Sequence, residues 1–264
     1  MGIEFSFDNA PRRIISLAPN ITESIYAVGA DSSLVGITDY CDYPPQTKDK
    51  KKVGGMINPD IEVIINLKPD LIFLTTEGNS KATYQNLINL GYKVFTFNPR
   101  NTDGITEMIN KIGIITCKTI KSQEIINNIK RQSDSLKLIS SKEPVKTCFI
   151  VISLIPLITV NGSTFINEVV KSCNLKNIYS GELNPYPEVS YEDLASKIPD
   201  YMIFPADLND TGKINSSLEV LKEKLNLNNV YVKDRVLKVD ENLIMRPGPR
   251  IIQCECNLFN LLLK

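Results

Sequence analysis

In the N-terminal part of the chain, short apolar runs alternate with amphipathic segments that end at a glycine or before a proline. The apolar runs predict buried strands, and the amphipathic segments predict helices. The predicted strands cover residues 13–17, 34–38, 71–75 and 94–97, and the predicted helices cover residues 20–28, 58–66 and 84–90. Asn20 is the expected N-cap of the first helix, with Glu23 three residues later, and Gly29 is its expected end. Such alternation is typical of a largely parallel sheet covered by helices.

The pattern changes between residues 102 and 142, where apolar side chains follow helical spacing for about forty positions. The part after Thr116 predicts one helix of about 25 residues, which would be roughly 37 Å long. A helix of that length fits a connector between two lobes. A pair of ordinary covering helices is the alternative, and Gly113 is an expected interruption.

Strand and helix patterns resume in the C-terminal part of the chain. The predicted strands cover residues 148–153, 202–204, 230–232 and 236–239, and the predicted helices cover residues 164–172, 191–197, 216–225 and 250–263. The longest apolar run, residues 148–160, is shorter than the roughly 18 residues of a membrane helix and contains Pro156. Because it is also rich in Ile and Val, it predicts a buried strand.

Charge and residue types exclude several classes of function. Thirty Lys and Arg balance thirty Asp and Glu, so no net field favours nucleic acid or an anionic membrane. The chain contains no histidine, which removes the Ser-His-Asp and Cys-His nucleophile systems and the usual transition-metal ligands. Glycine-rich phosphate-binding motifs are also missing from the sequence. We therefore expect no catalytic residues, no metal ligands and no enzymatic activity.

Six cysteines are scattered along the chain, too few for a disulfide framework. Cys254 and Cys256 form a C-x-C pair, but on a helix their side chains point about 200° apart and would not share a metal. Most of the six are expected to be small buried side chains. If the protein is exported, Cys173 and a C-terminal cysteine are the pair expected to oxidise.

Two segments of the chain repeat one pattern at an offset of 130 residues, counted from Glu62 to Glu192. In residues 59–73 and in residues 189–203, a glutamate precedes a Pro-Asp by seven residues across a short amphipathic helix. In both segments, Pro-Asp leads directly into an apolar strand, as expected when a proline ends the helix. The repeat indicates two similar lobes rather than one continuous sheet.

Glu62 and Glu192 therefore occupy equivalent places near the start of equivalent helices. For either glutamate alone the simpler interpretation is stabilisation of the helix dipole, worth about 0.3–1 kcal/mol and needing no partner. Their equivalence across two lobes favours a second interpretation, in which both glutamates face one partner that has paired basic sites.

Several segments resemble one known family, the helical-backbone (class III) periplasmic binding proteins of ABC importers for cobalamin, haem and iron-siderophores. The similarity is greatest to cobalamin-binding proteins. The segments are RIISLAPNITE at 13–23, VGITDYCDYPP at 35–45, VGG at 53–55, LKPDL at 67–71 and RPGPR at 246–250. The resemblance covers nearly the whole chain, from about Pro11 to the C-terminus.

The resemblance implies two α/β lobes with mainly parallel sheets, joined by a long rigid helix, with boundaries at 1–101, 102–143 and 144–264. It implies a ligand in the cleft between the lobes. The residues expected to contact it are Tyr40, Met56, Tyr186, Asn242, Met245 and Arg246. It also implies that Glu62 and Glu192 form salt bridges with arginines of the importer's membrane subunits. The expected protein is a monomer, periplasmic or extracellular and membrane-associated, whose signal or lipid anchor lies outside this sequence.

The ligand that the resemblance favours is cobalamin or a related corrinoid, a flat ring with amide arms that aromatic and apolar faces suit. The chain departs from the pattern in having no tryptophan, so Met56 and Tyr186 stand where ring-stacking aromatics are expected. Two alternatives stay open within the family: haem, held by a tyrosine, and a ferric siderophore, held by Tyr and Arg contacts. An enzyme with its cleft between two lobes ranks below both.

Overall fold

The computed structural model describes residues 9–226 and 234–263. They fall into two compact units, called lobe 1 and lobe 2 below. Lobe 1 comprises the chain up to Pro99 together with Asp103–Ile129, and lobe 2 comprises Arg100–Thr102 together with the chain from Lys130 onwards. The predicted α/β class with two lobes is confirmed. The boundaries 1–101, 102–143 and 144–264 stay a prediction, and the strand predicted at 230–232 lies outside the described residues.

Lobe 1 is built on a five-stranded parallel sheet with strand order β3-β2-β1-β4-β5. Its strands are β1 (Ile14–Ser16), β2 (Leu34–Ile37), β3 (Lys51–Lys52), β4 (Leu71–Thr75) and β5 (Val94–Phe97). Its first three helices are α1 (Pro19–Ala27), α2 (Ile61–Leu67) and α3 (Lys81–Asn89). All five residues of β4 are buried, which explains why its sequence shows no alternation of polar and apolar residues.

The predicted starts of the helices in lobe 1 are wrong. Asn20 is not an N-cap, because α1 begins at Pro19 and Asn20 is buried in its first turn. A proline at the start of a helix has no N–H to satisfy, and α1 begins without a side-chain cap. The second helix starts at Ile61 because the Asp60 carboxylate accepts a hydrogen bond from the backbone N–H three residues later. The predicted end of α1 is confirmed, since Gly29 has a φ of +75° just beyond it.

Two helices follow, α4 (Thr102–Ile115) and α5 (Thr119–Ser140). The break between them falls at Cys117, whose φ is +56°, and not at Gly113, which lies inside α4. Gly113 instead permits close packing, because a Cβ there would lie 2.2 Å from Oγ of Ser122 on α5. The long helix predicted after Thr116 is confirmed as the 22-residue α5, and the boundary between the lobes falls within it.

Lobe 2 is built on a four-stranded parallel sheet with strand order β11-β10-β6-β9, plus a separate antiparallel hairpin of β7 and β8. Its strands are β6 (Lys146–Ile150), β7 (Ser153–Leu154), β8 (Leu157–Ile158), β9 (Leu175–Asn177), β10 (Tyr201–Ala206) and β11 (Val236–Asp240). Its helices are α6 (Phe165–Ser172), α7 (Tyr191–Ser196), α8 (Thr211–Lys224), α9 (Glu241–Ile244) and α10 (Ile251–Leu262).

The apolar run at residues 148–160 was predicted as one buried strand, and this prediction is wrong. The run contributes to β6, then reverses direction at Ile155-Pro156 to form the hairpin of β7 and β8. A proline lacks the N–H that a central strand must donate, so it is placed at the turn. The hairpin leaves the Ile155 side chain 79% exposed.

The two sheets share one strand order, since β5-β4-β1-β2 of lobe 1 corresponds to β11-β10-β6-β9 of lobe 2. The Pro-Asp of each repeat plays the same part. Asp70 accepts hydrogen bonds from the backbone N–H groups of Arg12 and Arg13 just before β1. Asp200 accepts hydrogen bonds from the backbone N–H and the hydroxyl of Thr147 in β6. The sequence repeat therefore reflects two structurally equivalent lobes.

Candidate functional site

Each lobe has a cavity at the carboxyl ends of its strands, where open α/β sheets bind ligands. The lobe 1 cavity, about 350 Å³, is formed by the end of β4 and the start of α3, with Thr75, Asn79, Lys81 and Tyr84 among its lining residues. The lobe 2 cavity, about 290 Å³, is formed by the ends of β6 and β10, by β7 and by the start of α8. The described part of each lobe therefore offers a ligand-sized recess at equivalent strand ends.

Tyr40 lies beside the segment of lobe 1 that carries Met56. Tyr40 is 60% exposed, and a Cβ added to Gly55, the neighbour of Met56, would lie 3.9 Å from the tyrosine ring. The Met56 side chain packs on Gly78, where any Cβ would collide with it. Asn79 donates a hydrogen bond to the Met56 carbonyl at 2.8 Å, which attaches this segment to the wall of the lobe 1 cavity.

The tight turn that carries Tyr40 is anchored by buried groups. The Cys41 thiol is buried and lies 3.2 Å from the Thr22 hydroxyl and 3.1 Å from the Thr38 hydroxyl. Burial raises the pKa of the Cys41 thiol, against the smaller lowering effect of these hydroxyls and of Lys52. Cys41 is therefore a neutral packing residue rather than a nucleophile.

Tyr186 lies in lobe 2 on a segment that pairs with the strand leading out of the hairpin. The Asn161 N–H donates to the Pro185 carbonyl at 2.9 Å, and the Thr159 N–H donates to the Pro187 carbonyl at 3.1 Å. Tyr186 itself donates its N–H to Asn184 Oδ1 at 3.1 Å. These bonds fix the backbone on both sides of a tyrosine whose ring stays partly exposed.

Asn242, Met245 and Arg246, all expected to contact the ligand, lie on and just after the short helix α9. Asn242 hydrogen-bonds to two arginines of the protein. Its side-chain oxygen accepts a hydrogen bond from Arg246, and its backbone carbonyl accepts one from Arg250 at 3.1 Å. Met245 follows the helix and is exposed. Asn242 therefore orients the Arg246 guanidinium, while Met245 presents the open apolar surface.

Several residues near these sites were not among those predicted from the sequence. Three of them are apolar side chains exposed to solvent: Ile57 next to Met56, Ile155 at the hairpin tip, and Leu183, which is 98% exposed, near Tyr186. The charged lining of the lobe 2 cavity was not predicted either. The charged lining residues are Asp207, Asp210, Lys213 and Glu241. Asp207 and Asp210 lie within four residues of the end of β10. Their place after a predicted strand was a sequence signal for the carboxyl edge of the sheet.

Glu62 and Glu192 are both exposed and both occupy the second position of a short helix. The two helices begin in the same way. Asp60 caps α2 and Ser190 caps α7, each accepting a hydrogen bond of 3.0 Å from a backbone N–H three residues on. The predicted equivalence of the two glutamates in their own lobes is therefore present in the local structure, whereas their contact with an importer stays a prediction.

Within residues 9–226 and 234–263, no group of three or more Cys, Asp or Glu side chains is arranged to hold a metal ion. None of the helices in these residues is long and apolar enough to cross a membrane. All six cysteines are free, so the pairing expected for Cys173 is not formed here. Burial raises the pKa of Cys173 to about 12, which keeps its thiol protonated.

Comparison with known proteins identifies the class. A family model described as periplasmic binding protein matches residues 14–229, so the chain belongs to that family. The family description indicates an extracytoplasmic protein that binds a small-molecule solute.

Individual relatives and solved structures are similar to this chain over most of its length. A vitamin B12-binding protein of Photorhabdus laumondii is 28% identical over 243 residues, covering 92% of this chain and 85% of the relative. The crystal structure of the periplasmic vitamin B12-binding protein BtuF of Vibrio cholerae superposes with a TM-score of 0.84 at 26% identity, covering 96% of this chain and 97% of that one. The periplasmic heme-binding protein HutB of Vibrio cholerae superposes with a TM-score of 0.81 at 20% identity, covering 96% and 99%. The last likeness shows the shared fold alone.

Proposed function

We propose that this protein captures cobalamin or a related corrinoid, without catalysis, and delivers it to an ABC importer. The observation that carries the proposal is the match, over nearly the full length, to proteins named vitamin B12-binding proteins. The exposed side chains at the strand ends support it. In lobe 1 these are Tyr40 and Ile57, beside the partly buried Met56, and in lobe 2 they are Ile155, Leu183, Tyr186 and Met245. Such surfaces suit a flat ring that buries apolar area on binding.

The charge of the lobe 2 cavity favours a corrinoid over haem. Asp207, Asp210 and Glu241 contribute carboxylates to its lining, and Lys213 contributes one cation. Carboxylates accept hydrogen bonds from the amide arms of a corrin, whereas they repel the propionates of haem. Haem is the second candidate because the exposed phenol of Tyr40 is of a type that ligates haem iron.

A thermal-shift screen distinguishes these ligands. The purified protein is heated with cyanocobalamin, with cobinamide, with haemin and with a ferric siderophore, each in excess, because a ligand that binds only the folded state raises the melting temperature. The proposal expects a rise with the two corrinoids and none with haemin or the siderophore. A rise in melting temperature with haemin alone would identify haem as the ligand. Recovery of chemically altered cyanocobalamin would contradict binding without catalysis.

We also propose that Glu62 and Glu192 form salt bridges with arginines of the importer. The double charge reversal Glu62→Lys and Glu192→Lys is expected to lower corrinoid uptake about tenfold or more while leaving ligand affinity unchanged. The matched control reverses two other exposed glutamates, Glu124 and Glu223, which lie on α5 and α8. Equal losses of uptake in the two double variants would contradict a docking role for Glu62 and Glu192. A loss of ligand affinity would show that these glutamates belong to the ligand site.

A further inference from the structure

The hairpin of β7 and β8 is an insertion that distinguishes the two lobes. In lobe 1, β1 ends at Ser16 and α1 begins three residues later at Pro19. In lobe 2, the hairpin lies between the equivalent strand β6 and the equivalent helix α6. A feature present in one of two equivalent lobes is not needed to build the fold that they share.

The hairpin forms part of the wall of the lobe 2 cavity. Ile152, Ser153 and Leu154 all line this cavity, and the Ile155 side chain next to them projects into solvent. A ligand in the cavity would therefore touch the hairpin on this face.

The β8 edge of the hairpin is hydrogen-bonded to the segment that leads into α7, the helix of Glu192. The Val189 N–H donates to the Leu157 carbonyl at 3.0 Å, and Glu188 forms a bridge with Ile158. Ser190, the N-cap of α7, is the next residue. The backbone thus runs from the hairpin pairing into the first turn of α7 with no intervening loop.

Tyr191 adds a side-chain link between the same two elements. Its hydroxyl donates a hydrogen bond of 2.8 Å to the Leu154 carbonyl, and burial raises the pKa of this phenol, which keeps it a donor. Its counterpart in the lobe 1 repeat is Ile61, which has no hydroxyl. A tyrosine is therefore not required to start this helix.

We propose that Tyr191 is a positioning residue, which joins the ligand-facing hairpin to α7 so that a ligand at the hairpin holds Glu192 in place. The proposal rests on the function proposed above. A helix of six residues is not stable alone, so the order of α7 depends on its tertiary contacts. A ligand that restrains Leu154 also restrains the carbonyl that accepts the hydrogen bond of the Tyr191 hydroxyl. By thermodynamic linkage, a partner that holds α7 in place raises the affinity of the hairpin for the ligand by the same factor.

Hydrogen–deuterium exchange of α7, with and without saturating cyanocobalamin, tests the link in Tyr191→Phe. The wild-type protein is expected to exchange about threefold or more slowly in α7 when ligand is bound, and Tyr191→Phe is expected to lose this slowing. Tyr201→Phe is the control, because Tyr201 lies on β10 of the same lobe. A second variant, Ile155→Ser at the exposed hairpin tip, is expected to reduce the slowing without disturbing the core.

Calorimetry with cyanocobalamin precedes the exchange experiment, so that two failures are told apart. If the wild-type protein does not bind, the proposed function fails and the inference fails with it. If the protein binds but α7 exchanges equally with and without ligand, or Tyr191→Phe keeps the full slowing, the link alone is overturned. Cyanocobalamin affinity in Tyr191→Phe is expected to stay within about twofold of wild type, since the phenol bonds to the Leu154 carbonyl and is not among the residues that line the cavity.

Discussion

The ammonium group of Lys52 lies 2.7 Å from the carbonyl oxygen of Cys41 and 3.2 Å from that of Thr38. These two carbonyls lie on either side of Tyr40. The backbone N–H of Asp39 donates to the Gly54 carbonyl at 2.9 Å, which holds the same turn from the segment that follows β3. The exposed Tyr40 ring is therefore carried by a turn that is already ordered, and a rigid contact residue loses less entropy when it binds a ligand.

Lys52→Met should weaken corrinoid binding by about three- to tenfold, because the turn carrying Tyr40 loses its cationic anchor. Isothermal titration with cyanocobalamin measures the effect. Lys51→Met is the matched control, since Lys51 is the neighbouring, exposed residue of β3. Lys52→Arg should restore much of the affinity, and in a Tyr40→Ala background Lys52→Met should have no further effect. An undiminished effect in that background would show that Lys52 does not act through Tyr40.

Asp200→Asn should destabilise lobe 2 by about 1–2 kcal/mol, because the Asp200 carboxylate accepts two hydrogen bonds of 2.8 Å from Thr147. These bonds, from the backbone first, lower the pKa of Asp200. Its contribution is therefore present above the unfolded pKa of about 4 and is lost as the pH falls through the folded pKa. Urea unfolding at pH 7 and pH 3 measures both effects.

Asp134→Asn is the control for this experiment, since Asp134 is exposed on α5. The stability difference between Asp200→Asn and the wild-type protein should shrink at the lower pH. A difference that is the same at both pH values would contradict the role of the ionised carboxylate.

Glu255 should make the protein less stable as the pH rises through neutrality. Its side chain is buried, its Oε2 has no hydrogen-bond partner among residues 9–226 and 234–263, and burial raises its pKa to about 7. Ser172 and Lys137 lower this pKa and Glu168 raises it, all by less than burial does. Because the folded pKa exceeds the unfolded one, the stabilisation is complete below about pH 4.5 and is lost above pH 7.

The free energy of unfolding should fall by up to about 3 kcal/mol between pH 5 and pH 9 through this group. Glu255→Gln should flatten the fall, because the amide carries no charge at any pH. Glu223→Gln, on the exposed face of α8, should leave it unchanged. The expectation is wrong if the pH profiles of the two variants coincide.

Gly113→Ala should destabilise lobe 1 by about 1–3 kcal/mol, although alanine favours a helix over glycine. The added Cβ would lie 2.2 Å from Oγ and 2.5 Å from Cβ of Ser122, so α4 and α5 would have to separate. Thermal unfolding followed by circular dichroism measures the loss. Gly181→Ala is the control because a Cβ there meets nothing within 4 Å. Adding Ser122→Gly to Gly113→Ala should recover part of the stability, and a neutral Gly113→Ala would refute the packing.

The fold was predictable where one periodicity governs a whole element. The buried β4 and the long α5 each follow a single periodicity along their whole length, and the repeat of Glu and Pro-Asp located the equivalent lobes. The hairpin was not predictable, because an apolar run interrupted by Pro156 fits one long strand as well as two short ones. The start of α1 was missed because Asn20 is a common N-cap residue, whereas Pro19 begins the helix uncapped.

The candidate site was predictable only as far as its positions along the chain. Tyr40 lies beside Gly55, the neighbour of Met56, in lobe 1, and Met245 and Tyr186 are exposed in lobe 2. Which groups hold these residues was not predictable, because the anchors come from distant parts of the sequence. Lys52 anchors the turn of Tyr40 from the edge strand β3. The engagement of Asn242 by two arginines likewise depends on side-chain directions in α9, which its sequence does not specify.

Direct titration of the purified protein with cyanocobalamin tests the central claim. Isothermal calorimetry should show saturable binding of one cyanocobalamin per chain with a Kd below about 1 µM, a free energy of roughly −8 kcal/mol. Tyr40→Ala should weaken that binding, whereas Lys51→Met should not. Absence of saturable heat with cyanocobalamin and with cobinamide, in protein that gives a cooperative melting transition, would contradict corrinoid capture.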